Sequence, residues 1–193
     1  MGRPDPNYVL RANEMDWAPV ENAKTIWLLK KAVYGLLVAM LFFSLVLRTN
    51  FFMELSLLSK VLLFSLCIKV LTTKEVKEVP VPFEIRFYDD YLVLYREKAY
   101  YNPKLTRKEI FKFRYQDIKE VEFRTYTQKF LIFGIVEGKY YPYKKDGTLP
   151  EKPSYHKVTD SFAYFYTSAD PTVDFVAEFE RHTPLKVQVK TMD

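Results

Sequence analysis

Glycine is scarce in this chain, with five in 193 residues, and histidine and cysteine are scarcer still, two and one. So few glycines leave no Gly-rich loop to cradle a phosphate and no nucleophile elbow. His156, read as a loop residue, and His182, at the end of a helical pattern, have no partner at metal-ligand spacing. His182 is explained by the negative end of the helix dipole, which favours it there. The lone Cys67 excludes an intrachain disulfide, so nothing in the chain calls for an oxidising compartment. Asp89 and Asp90 are adjacent, and adjacent turn carboxylates point apart into solvent, which suits a turn better than a catalytic pair. No enzymatic activity, metal or cofactor is expected. A concentrated surplus of one charge is missing too. Residues 1–78 carry ten basic and seven acidic side chains, and residues 79–193 carry nineteen and seventeen. That spread gives no nucleic-acid footprint.

What the chain does have is apolar length and aromatic weight. From Ala32 to Leu47 it reads AVYGLLVAMLFFSLVL without a charge. Counted from Trp27, this stretch makes a helix of about 31 Å, matching a bilayer core of roughly 30 Å. The polar break Arg48-Thr49-Asn50 separates it from a second apolar stretch, Phe51 to Leu71, so residues 26–72 read as a two-helix transmembrane hairpin. The first stretch starts too late, and lacks the cleavage site, for a signal peptide, and is expected to stay in the mature protein. Lys24, Lys30 and Lys31 precede it, Lys69, Lys74 and Lys77 close the second, and only Arg48 lies between. The positive-inside bias therefore predicts a multi-pass protein of the cell membrane. Residues 1–25 form a cytoplasmic segment, and the C-terminal domain is cytoplasmic as well. The second stretch contains Glu54, Lys60 and Lys69. Lys60 falls near its middle, where it either snorkels toward the loop or faces a polar partner. A third reading lays residues 51–71 in the interface as an amphipathic helix.

From Val79 the grammar changes, and residues 79–193 read as a soluble domain. Val79-Pro80-Val81-Pro82 is read as a stiff joint. Phe83, Ile85 and Phe87 then alternate with polar residues, Asp89-Asp90 turns the chain, and Tyr91–Glu97 returns as a hairpin. Further strands are predicted near 109–114, 118–125, 130–137, 139–143 and 161–166, an antiparallel meander of about seven. Pro142 marks the sixth as short or at an edge. Asp170-Pro171 reads as a helix start, with Thr172, Phe175, Val176 and Phe179 at helical spacing and a stop near His182. Leu185–Val189 adds a short terminal strand.

That element order, an α+β sheet closed by one C-terminal helix, is pleckstrin-homology-like. The runs FEIRFYDDYLVLY, YQDIKEVEF and DFVAEFERH resemble the bacterial YcxB-like C-terminal domain family, over roughly residues 26–183. The resemblance implies a pleckstrin-homology-like domain preceded by two transmembrane helices. At the first hairpin turn, where phosphoinositide binders concentrate basic residues, this chain carries the acidic pair Asp89-Asp90.

The basic residues Lys98, Lys104, Arg107, Lys108, Lys112 and Arg114, with Tyr100 and Tyr101 among them, form a candidate membrane-surface or partner-contact segment. Alternatively they are a solvated loop and strand face. Tyr140, Tyr141 and Tyr143, interleaved with Lys139, Lys144 and Lys145, suit a partner contact or ordinary strand packing. The expected function is non-enzymatic: a tethered domain presented to a protein partner or to inner-leaflet lipid, with homo-oligomerisation open. The alternative is an accessory subunit of a transport or assembly complex, with Glu54 and Lys60 at work inside the membrane.

Overall fold

The computed structural model describes residues 5–45, 55–102 and 105–192, so Glu54 and Lys104 lie outside the described residues. The chain divides into two compact units: Ala18–Lys77, and Met1–Trp17 together with Glu78–Asp193.

The first unit is a helical hairpin. Helix α1 (Ala23–Leu45) is, among the described residues, the one helix long and apolar enough to cross a membrane. Helix α2 (Leu57–Thr72) starts at the N-cap Ser56, whose Oγ accepts from the Ser59 N–H at 3.2 Å. Its end lies beside the start of α1. Lys30 pairs with Glu75 at 3.1 Å, and the Val20 N–H reaches the Glu75 carbonyl. At 16 residues, about 24 Å, the described α2 is shorter than a bilayer core. Lys60 is the fourth residue of α2, which starts at Leu57.

The second unit is a sheet in the order β1-β2-β3-β4-β5-β6, antiparallel from β2 to β6. Its strands are β1 (Tyr8–Pro19), β2 (Val76–Phe87), β3 (Tyr91–Asn102), β4 (Leu105–Arg124), β5 (Lys129–Pro142) and β6 (Tyr155–Tyr166). Helix α3 (Phe175–His182) and β7 (Gln188–Lys190), which pairs parallel with β4, complete it. Phe83, Ile85 and Phe87 of β2 face the same core as Leu92 and Leu94 of β3, Phe113 of β4, Phe130 and Ile132 of β5 and Phe165 of β6. Phe175 and Phe179 of α3 lie over them, and each fully buried ring contributes about 2–3 kcal/mol.

Several sequence expectations change. The N-terminal segment contains a strand: Leu10 and Ala12 of β1 enter the core, giving the alternation of YVLRANEMDWAP a partner. Pro80 and Pro82 lie inside β2 and do not form a joint outside it. Pairing with β3 begins only at Phe83, so neither proline interrupts that ladder. The stretches 109–114 and 118–125 are one strand, β4, which absorbs the interruption as a register shift between Phe113 and Ile118. Likewise 130–137 and 139–143 merge into β5, with Pro142 as its last residue. Strand β6 begins at Tyr155, which moves His156 from a loop onto a strand, 2.8 Å from Glu137. Helix α3 is capped by Asp174, which accepts from the Ala177 N–H at 3.0 Å. Asp170 is instead occupied by Asn13 of β1.

Candidate functional site

The strands carry their side chains alternately inward and outward, and that parity divides the charged residues of β3 and β4. Leu92, Leu94 and Arg96 share the inward face of β3; Glu109, Phe111 and Phe113 share that of β4. Arg96 is thus carried into the core side of the sheet, with 8% of its side chain exposed. Its guanidinium forms a two-pronged pair with Glu14 of β1, reaches Glu109 at 3.3 Å and donates to the Tyr164 carbonyl. Burial works against its charge, but the Glu14 and Glu109 carboxylates together outweigh burial and hold the guanidinium above its ordinary range. Arg107 pairs with the other oxygen of Glu109 at 2.6 Å and lies over the Tyr140 ring, 3.9 Å from its centroid. Among the described residues, no buried side-chain nitrogen or oxygen lacks a hydrogen-bond partner.

This network floors a pocket of about 450 Å³, within the size range of ligand sites. One wall is Glu14, Met15 and Asp16 of β1, and the facing wall is Ser161–Tyr164 and Tyr166 of β6. Ala99, Tyr100, Phe111 and Tyr140 complete it. Burial pushes the Tyr140 and Tyr164 phenols up, so both stay protonated at neutral pH. Asp16 accepts from the Tyr100 N–H at 2.8 Å and from the Trp17 N–H at 2.7 Å.

The sequence-predicted basic segment does not form one surface. Lys108 and Lys112 face outward from β4, over the rings of Tyr95 and Tyr91, and Arg114 is exposed on the same strand. Arg107 faces inward into the pocket. Lys98 is exposed and lies over Tyr100, which is itself half-buried in the pocket wall. Lys104 and the Tyr101 side chain lie outside what is described. Tyr140 is a pocket residue, stacked on Tyr155 at 4.7 Å, while Tyr143 donates to the Glu97 carbonyl. Sequence reasoning missed Glu14, Asp16, Arg96 and Glu109. A signal existed for Arg96, which continues the inward parity of Leu92 and Leu94, but its carboxylate partner lies 82 residues away.

No family model, no curated protein and no solved structure matches this chain.

Proposed function

We propose that this chain is a non-enzymatic membrane-anchored interaction module. A two-helix hairpin holds a pleckstrin-homology-like domain, akin to the YcxB-like family, at the cytoplasmic face of the cell membrane. There the domain engages a protein partner or inner-leaflet lipid. One observation carries the reading: β1 precedes the helices, β2 follows them, and the two are neighbours in one sheet. A chain whose two flanks share a sheet returns to the side it left, so the segment between them crosses a membrane an even number of times. With α1 apolar and exposed along its length, two crossings are the reading that this shared sheet supports. Exposed apolar side chains on α2, among them Leu58, Leu62, Phe64 and Leu66, lie on more than one side of the helix. That suits lipid better than an interfacial amphipathic helix. The lysines at both ends of the hairpin favour the cytoplasm for both flanks. The meander of five antiparallel strands closed by α3 supports the pleckstrin-homology-like reading. Outward-facing Lys108, Lys112 and Arg114 supply a surface for acidic headgroups or an acidic partner.

The test is protease digestion of the full chain, tagged at either terminus, in intact and in lysed cells. Both tags are expected to be protected until lysis. One protected tag and one digested tag would overturn the hairpin, and two digested tags would place the domain outside the cell.

A further inference from the structure

The pocket lies where the sheet fails to close. Strands β1 and β6 are its two edges among the described residues, and side chains, not a backbone ladder, bridge part of the gap. The Asn13 N–H goes to Asp170 and the Trp17 N–H to Asp16, which occupies those donors of β1. On β6, the Tyr164 carbonyl is taken by Arg96 and the Tyr166 N–H approaches Glu14 at 3.4 Å. These contacts fix which residues of β6 turn their backbone groups away from β5. The β5–β6 register runs unbroken from Tyr155 to Tyr166, and antiparallel bonding alternates residue by residue. Val158, Asp160 and Phe162 therefore share the outward parity of Tyr164 and Tyr166, but among the described residues no strand adjoins them. Here β6 offers a free edge, with exposed Val158 and Phe162 side chains beside it, and the pocket begins at its Phe162 end. Such an edge is a template for an added strand.

The pocket's charge says what that strand carries. Glu14, Asp16 and Glu109 stand against Arg96 and Arg107, a surplus of one negative charge. Glu14 and Glu109 are spent on the arginines. The surplus is Asp16, which among the described residues accepts from two backbone N–H groups and is bordered by the Tyr100 wall. The rings already carry cations, Arg107 over Tyr140, Lys98 over Tyr100 and Lys129 over Tyr164, so the Asp16 carboxylate is the group left to draw a further one.

We propose that the gap between β1 and β6 binds an extended peptide segment bearing a lysine or arginine. Its main chain adds to the Val158–Phe162 edge, and its cation reaches the Asp16 carboxylate. The inference rests on the interaction-module reading and adds the chemistry of the partner.

The full-length chain, in nanodiscs of zwitterionic lipid so that acidic headgroups do not capture the probe, is titrated into a labelled peptide. The peptide alternates threonine and valine around one central lysine, and the control carries glutamate in its place. The lysine peptide is expected to bind at least about tenfold more tightly. Asp160→Pro removes one outward N–H without touching the β5 ladder, and is expected to weaken that binding by a similar factor. Asp16→Asn is expected to erase the preference between the two peptides. Equal binding of both peptides to the unmodified chain, or undiminished binding to Asp160→Pro, overturns the proposal. Displacement of the peptide by butylamine alone at matching concentration overturns it as well, in favour of a simple amine site. None of these results bears on tag protection, which judges the anchored-module reading separately.

Discussion

The ring of Tyr8 lies flat on the imidazole of His182, with centroids 3.8 Å apart and planes 16° from parallel. The Tyr8 hydroxyl donates to Glu178 at 2.7 Å, and that hydrogen bond raises the phenol's pKa. The first residue of β1 is thereby fastened to the last helix of the chain, which makes the N-terminal segment part of the domain. Tyr8→Phe should keep the stack, lose the hydrogen bond and cost about 1 kcal/mol in chemical denaturation of the detergent-solubilised chain. Tyr8→Ala should cost more.

Arg96 and Glu14 give a larger effect. Breaking one partner of a buried ion pair leaves an uncompensated charge in a low dielectric, at a cost of about 3–5 kcal/mol. Arg96→Met strands the Glu14 carboxylate and leaves Glu109 with Arg107 alone, whereas Glu14→Gln leaves Arg96 still paired with Glu109. The arginine substitution should therefore be the more damaging in urea titrations. Equal effects would mean that Glu109 contributes nothing.

Gly134 lies opposite the register shift in β4, at φ +151°. A Cβ there would come 2.3 Å from the Asp117 carbonyl oxygen and 2.9 Å from the Ile118 Cα, both backbone atoms. Gly134→Ala should destabilise by about 2 kcal/mol or more through strain at that conformation. Gly147→Ala, at φ +80° in an open loop, should cost less.

Acid should loosen the C-terminal strand. Burial works to raise the Glu122 carboxyl, but hydrogen bonds from Lys190 of β7 and from Arg124 outweigh it and hold the group below its reference value of 4.5. A depressed carboxylate gives stability that is present above the unfolded value and lost as pH falls through the folded one. Protection of the Val189 and Lys190 amides, taken against the intrinsic exchange rate at each pH, should therefore fall below pH 4.5 in the unmodified chain. The Glu122→Gln variant should show that reduced protection at neutral pH.

The apolar helix, the β2–β3 turn and the spacing of Phe175 and Phe179 were legible in the sequence, because each depends on residues within one or two turns of chain. Parity along a strand was equally local, so Arg96 was already assigned to the inward face of β3 by its neighbours. Tertiary structure alone decided what met it there. Glu14 lies 82 residues earlier, across both helices, and no local pattern encodes a contact between flanks of a hairpin. For the same reason the strand character of Tyr8–Pro19 could not be read in isolation: a single strand has no stability of its own, and this one exists because β2 offers an edge. The open pocket follows from that distant pairing as well. Its walls are the two ends of the strand order, and where a sheet stops short of closing is a property of the whole sheet's curvature and not of any one strand.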